Sequence, residues 1–297
     1  MYYKTKEMKK NILIVGCGKM GLSHFKSFAD KKNLNIYLYD KKIKNLNFLS
    51  SQRIFVLKNL NSIPKISLCI LSTDCIPRFK ILKKLLKKKK IKTFLIEKFI
   101  FEKESQFNFF SKHFETKNIY VNVWGKFIYH NIKKWLKKSS NYQIKIYIQK
   151  GIMLTNLIHF LNFISYIVKF KNYSKKNLKL INSNFKKYKE LTGSISLIGG
   201  QNTVLIKTKN LKNIFEIDIL EINKKLSIKI ILDKDLNLNY FKNNILIKKH
   251  RFPLASFHSY QIFKKPLLAP KYDNLEEISI NLLKFLKKTF NREVSIR

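Results

Sequence analysis

Ile12-Leu13-Ile14-Val15-Gly16-Cys17-Gly18-Lys19-Met20-Gly21 is the stretch on which the reading of this chain turns. Four apolar residues in an unbroken run mark a strand covered on both faces, as in a parallel sheet. Glycines follow at the spacing G-x-G-x-x-G, and beyond them Phe25, Phe28 and Ala29 recur at helical intervals. A glycine triplet alone is a weak signal. Set between a strand and a helix, it is the turn that cradles a dinucleotide pyrophosphate. Gly16 permits the tight turn, Gly18 lets the phosphates come up to the backbone, and Gly21 lets the helix pack closely on the strand. Lys19 and Met20 begin the helix, whose bare amides and dipole favour a negative charge. The competing reading is a glycine turn that holds nothing.

Leu34-Asn35-Ile36-Tyr37-Leu38-Tyr39 reads as the second strand and ends at Asp40, 19 residues past Gly21. An acid there binds a ribose diol and repels a 2′-phosphate, so the expected cofactor is NAD. Lys41, Lys42 and Lys44 would attract such a phosphate, which keeps NADP open. Further strands are expected at 53–57, 66–71, 93–96 and 119–123, with helical stretches through Leu82, Leu85 and Leu86 and from Phe107 to Phe114. Strands alternating with helices give a doubly wound parallel sheet, a Rossmann domain over residues 9–123.

Past residue 123 the rhythm changes. Residues 142–149 alternate as a strand, an apolar helix follows Gly151, and strands at 194–198, 203–207, 214–222, 226–232 and 236–241 come without helices between them. Such a succession implies a mainly antiparallel open sheet, so residues 124–297 form an α+β second domain, closing on helical stretches that include 275–288. The fold class is α/β plus α+β. No linker rich in proline or glycine separates the halves, and no internal repeat is present.

Composition narrows the partners. Of 297 residues, 61 are Lys or Arg against 18 Asp or Glu, a formal net charge of +43. Arginine occurs only at Arg53, Arg78, Arg251, Arg292 and Arg297; the remaining cations are lysines spread over nearly every segment. Nucleic-acid readers rely on arginine forks gathered on one face, so specific nucleic-acid binding is not expected, although the field favours anionic substrates such as nucleotide sugars. Cys17, Cys69 and Cys75 have no metal-like spacing, and the sequence offers no metal site; they read as reduced, buried residues of a cytoplasmic protein. The basic start before 11–17 resembles a lipoprotein leader, but its apolar part is short and the glycine pattern runs straight through it. The apolar tract 151–170 is broken by Asn156, His159 and Asn162 and reads as a buried helix rather than a membrane span.

With His24 three residues after Gly21, Ser72-Thr73 after the fourth strand and Glu97-Lys98 after the fifth, the sequence resembles the Gfo/Idh/MocA family, the group of glucose–fructose oxidoreductase and inositol dehydrogenase. The resemblance spans the chain in its order of elements, with motif matches concentrated in the first half and around His159. It implies a nicotinamide-dependent oxidoreductase transferring a hydride between cofactor and a hydroxyl or keto group of a sugar or nucleotide sugar, in surface polysaccharide synthesis for example. Gly16, Gly18, Lys19, Met20, Gly21, Asp40, Ser72, Thr73 and Glu97 would then serve the cofactor. Lys98 would contact the reacting oxygen, where an ammonium stabilises alkoxide charge. His159 would move the proton, with Lys126 and Thr155 contacting substrate. Relatives associate through the open face of the second sheet, which implies a homo-oligomer.

Two positions depart from the family. Phe99 stands where proline is usual, and a cis bond before a non-proline residue costs about 2.5–4 kcal/mol, so a changed turn is expected there. Thr155 occupies the place of an aspartate and supplies no carboxylate to His159 four residues on. These departures support the rival reading, a catalytically inactive dinucleotide- or sugar-binding relative. In bland terms Lys98 is one solvated lysine among many and His159 a satisfied core residue. His130, His250 and His258 carry no motif.

Overall fold

The alternation read in the first half becomes six parallel strands. The structure, a computed structural model, describes residues 10–42, 51–116, 118–137, 140–170, 172–183, 188–222, 226–252, 259–260, 263–264 and 269–294. Lys44, His258 and the basic leader lie outside the described residues.

In chain order the first half holds β1 (Lys10–Val15), α1 (Lys19–Lys26), β2 (Leu34–Tyr39), β3 (Ile54–Val56), β4 (Leu68–Leu71), α2 (Cys75–Leu86), β5 (Phe94–Ile96), α3 (Glu104–His113) and β6 (Ile119–Val121). The strands lie in the order β3-β2-β1-β4-β5-β6, the doubly wound arrangement. β1 is central, in register with β2 from Lys10–Leu34 to Val15–Tyr39 and with β4 from Ile12–Leu68 to Val15–Leu71. Its Ile12, Leu13 and Ile14 are fully buried, which is why they show no alternation. The strand order reverses between β1 and β4, and ligands of such sheets bind beyond the carboxyl ends of the strands at that point.

The second half holds α4 (Gly125–Ile132), a short 3-10 turn (Lys133–Trp135), β7 (Tyr142–Gln149), α5 (Met153–Ser165), β8 (Asn172–Asn182), β9 (Lys189–Gly199), β10 (Asn202–Lys209), β11 (Phe215–Glu221), β12 (Ser227–Leu232), β13 (Asn237–Lys242), β14 (Ile245–Arg251) and α6 (Asp273–Phe290). Its eight strands run β14-β13-β12-β11-β7-β10-β9-β8, antiparallel throughout except where β10 pairs with β7. The fold class is the expected one. β8 and β14 were not anticipated. They are the two edges, where exposure removes the buried/exposed alternation that makes a strand legible, and lysines such as Lys175, Lys176 and Lys248 line them.

α5 is buried on nearly every side, which accounts for its continuous apolar character. No helix among the described residues is long and apolar enough to cross a membrane.

The chain divides into two compact units, residues 1–122 with 253–280, and 123–252 with 281–297. The sequence reading drew one boundary, between 123 and 124, and assigned everything beyond it to the second domain. Residues 253–280 instead belong to the first unit. Ala269 joins its core with Ile12, Ile14 and Leu95, and Tyr272 packs among Phe101, Phe107 and Phe110. Residues 270–272 also run against β6: the Val121 N–H donates to Pro270 O at 3.0 Å and the Tyr272 N–H to Ile119 O at 2.9 Å. A segment that completes one sheet after an excursion through another leaves no local trace in composition.

Candidate functional site

The three glycines of the first turn are packed in different ways. Gly16 has φ +94°, and a Cβ there would lie 2.7 Å from the Thr73 nitrogen. A Cβ on Gly21 would meet Gly16 O at 1.8 Å, so α1 presses directly on the turn. Gly18 is exposed, has an ordinary φ of −68°, and a Cβ there would meet nothing within 4 Å. Gly18 is also the N-cap of α1, with no side-chain cap, and exposed Lys19 and half-buried Met20 begin the helix. Thus two glycines are required by the fold, and the third faces open space at a helix N-terminus.

Neighbouring polar groups hold this turn. The Ser72 hydroxyl donates to Gly16 O at 2.6 Å, so it acts on the loop. Asp40 accepts from the Cys17 N–H and the Lys42 N–H, both at 2.7 Å, and fastens the end of β2 to the glycine turn. Burial, with the Asp40 charge adding to it, pushes the Cys17 thiol up to about 12. Lys41 and Lys42 are exposed beside Asp40. The Thr73 hydroxyl is buried and has no hydrogen-bond partner among the described residues.

Beyond β5 the chain enters a buried polar network. Glu97 accepts from His24 Nε2 at 2.8 Å and from Asn122 Nδ2 at 2.5 Å. Burial works to raise its carboxyl, but those hydrogen bonds and the His24 and Arg78 charges outweigh it and hold Glu97 below the ordinary carboxylate value. His24 Nδ1 meets Ser259 Oγ at 3.0 Å. Ser259, His24 and Glu97 have the connectivity of a hydrolytic triad, but Ser259 and His24 are fully buried, so this serine is no nucleophile.

Arg78, 2% exposed, reaches from α2 to the chain on both sides of Lys98. Its Nη1 donates to Glu97 O at 2.5 Å and to Phe99 O, and its Nη2 to Thr73 O. The Lys98–Phe99 peptide bond is cis. The expectation of a changed turn without proline is therefore corrected. The Arg78 guanidinium, which residue 99 by itself does not reveal, grips the carbonyls of Glu97 and Phe99 on either side. Lys98 is half-buried immediately after this network, at the carboxyl end of β5.

In the second unit, His159 lies on α5 and is 4% exposed. Its ring stacks on the Trp124 indole, 4.4 Å between centroids and 13° between planes, and its Nδ1 accepts the Trp124 N–H at 3.2 Å. Thr155, one turn earlier, donates its hydroxyl to Glu190 of β9, a residue that is itself 3% exposed. Glu190 also accepts the Leu154 N–H at 2.7 Å, so it caps the start of α5. A carboxylate from β9 therefore lies against the first turn of α5, at Thr155. Lys126, half-buried on α4, and Lys133 both lower the His130 imidazole, after burial as the larger cause.

The structure brings Gly16, Gly18, Gly21, Asp40, Ser72 and Thr73 together at the first turn, and His24 to Glu97 beside Lys98. Sequence reasoning missed Arg78, Asn122, Ser259, Trp124 and Glu190. Arg78 alone left a usable signal: with Leu82 and Leu85 it forms an i, i+4, i+7 stripe, a cation at a core position.

The two-domain fold recurs in solved structures of oxidoreductases, and at the identities found the likeness is one of fold alone. A dehydrogenase from Clostridium difficile superposes with TM-score 0.64 at 13% identity, over 95% of this chain and 99% of that one. Biliverdin reductase from Synechocystis sp. PCC 6803, solved with biliverdin and NADP+, gives 0.63 at 10% identity, over 94% and 98%. A transcriptional regulator from Kluyveromyces lactis gives 0.67 at 14% identity, over 97% and 95%. No family model and no curated protein matches the sequence.

Proposed function

We propose that this protein is a nicotinamide-dependent oxidoreductase whose first unit binds the dinucleotide at the turn Gly16–Gly21. The single observation that carries this reading is the contrast among the glycines. Gly16 and Gly21 are needed by the fold, whereas a side chain at Gly18 would meet only open space, at an uncapped helix N-terminus suited to a pyrophosphate. The orphaned Thr73 hydroxyl beside that turn and Asp40 at the end of β2 fit the same ligand. Biliverdin reductase, of the same fold, is solved with NADP+. Asp40 favours NAD, while exposed Lys41 and Lys42 leave room for NADP.

The cofactor supplies the hydride acceptor or donor; the chain's own residues do the rest. Lys98, set after the Arg78 and Glu97 network, polarises the reacting oxygen, and His159 is the substrate-side imidazole of the second unit. The strong positive charge suits a phosphate-bearing substrate such as a nucleotide sugar. Self-association through the sheet of the second unit and a cytoplasmic setting complete the reading.

The test is Gly18→Ala. Its φ and ψ suit alanine, so unfolding free energy should change by less than about 1 kcal/mol. NADH or NADPH affinity, read by nicotinamide fluorescence, should fall about tenfold or more as the methyl obstructs the phosphates. Affinity equal to the parent's, or no binding of either cofactor by the parent, would overturn the assignment. A second reading, a non-catalytic dinucleotide- or sugar-binding protein, draws on the regulator that shares this fold. It predicts the same Gly18 result but no turnover with any sugar nucleotide.

A further inference from the structure

At the end of α4 away from Trp124 the second unit holds a cavity of about 280 Å³, lined by His130, Asn131, Lys134, Trp135, Ile247 and Lys248. Gly125, where a Cβ would lie 2.4 Å from His159 O and 2.5 Å from the Phe163 nitrogen, seats the start of the helix against α5. Trp135 lies roughly 16 Å further along, at about 1.5 Å per residue, so the cavity is separate from the surroundings of His159.

Two local irregularities build it. α4 runs straight into the 3-10 turn Lys133–Trp135, so His130 and Lys134, and likewise Asn131 and Trp135, come four residues apart on one side. Ile247 and Lys248 are neighbours on β14, and neighbours in a regular strand point to opposite faces. Here Tyr240 pairs with Lys248 and Phe241 with Leu246, which leaves Ile247 as the extra residue of a β-bulge, and both side chains reach the one cavity. Asn131 anchors the lysine. Its Nδ2 donates to Phe127 O at 2.9 Å, so its Oδ1 is the end that accepts from Lys248 Nζ at 2.6 Å. An ammonium has three donor hydrogens, and this bond uses one. Lys134 lies against Trp135, with its Nζ 5.6 Å from the ring centroid.

Cations gather here without an acid: among the described residues no carboxylate lines the cavity. Burial, and then the Lys133 and Lys126 charges, lower the His130 imidazole; burial, and then the Lys248 charge, lower that of His250 on the same strand as Lys248. The negative end of α4 offsets only about half a charge. An anion is the missing counterpart, and a phosphate monoester, at about −1.5 to −2, matches two ammoniums better than a carboxylate does. The indole gives a ring an apolar wall. Ligand clefts usually hold about 300–1,000 Å³, so this one suits a single ring and not a dinucleotide. We propose that the cavity is a second small-molecule site, which takes one sugar ring bearing one phosphate. Lys134, Lys248 and His130 hold the phosphate, and Trp135 lies against the apolar face of the ring. Unlike the lysines dispersed over the surface, these are gathered in a hollow, one of them anchored, beside an aromatic wall. The site does not depend on the hydride-transfer reading.

The experiment is NMR of the intact chain with its indole rings labelled with ¹⁵N. It is titrated with glucose 6-phosphate, inorganic phosphate and glucose at about 0.15 M salt, where dispersed surface charges are largely screened. The chain has two tryptophans, so Trp135→Phe assigns both signals. The expected result is a saturable shift of the Trp135 signal with glucose 6-phosphate, while the Trp124 signal stays in place. Inorganic phosphate should bind about tenfold more weakly, and glucose not at all. The double substitution Lys134→Ala with Lys248→Ala should weaken glucose 6-phosphate about tenfold or more. Lys176→Ala with Lys179→Ala removes the same charge from β8, the opposite edge of the sheet, and should change the affinity less than about twofold. All four lysines are exposed, so the variants keep the fold, and an unmoved Trp124 signal verifies it. No shift at Trp135, a shift at Trp124 in its place, equal affinity for the ester and inorganic phosphate, or equal weakening by both lysine pairs would each overturn the site.

Discussion

Glu97 shows how a single carboxylate shapes the first unit. Its ionised form accepts from His24 and Asn122 in a buried place, which holds its pKa below the ordinary 4.5. A group with a depressed folded value contributes stability that is present above the ordinary value and disappears as pH falls through the folded one. Unfolding free energy should therefore decline on acidification below about 4.5, and Glu97→Gln should flatten that decline, as measured by urea unfolding across the acid range. The adjacency of Glu97 and Lys98 was legible because it follows a strand, and His24 because it follows the glycine turn. That the two touch was not legible, since 73 residues separate them. Nor was the hydrogen bond from Thr155 to Glu190, which comes from a strand 35 residues on.

Among elements, the best-read are those buried on both faces. β1, β4 and β5 are continuous apolar runs because helices cover them, and β7 alternates because one of its faces is more exposed than the other. β8 and β14 escaped because edge strands bury too little to impose a pattern. The pairing of α4 with α5 was invisible for a different reason: it depends on the absence of one methyl group. Gly125→Ala should force the two helices apart or strain them at a cost of about 1–3 kcal/mol, read as a lower urea midpoint. The same substitution at Gly18, whose Cβ would meet nothing within 4 Å and whose φ of −68° is ordinary, supplies the comparison without crowding.

At the scale of the whole molecule, charge and connectivity act separately. A net charge of +43 carried mostly by dispersed lysine is a field rather than a site, in keeping with the absence of any arginine cluster in the sequence. Connectivity is more consequential, because the first unit is assembled from residues 1–122 and 253–280. A fragment of residues 1–122 should lack a cooperative urea transition, since β6 loses its pairing with 270–272 and Phe101, Phe107 and Phe110 lose Tyr272. The returning segment also sets a timetable. On the ribosome the six strands and the glycine turn emerge first, yet the tyrosine that closes their aromatic cluster and the strip that covers their edge are made only after the second sheet has been synthesised. The half of the chain that is written earlier must wait for the second sheet to be made before it can be completed.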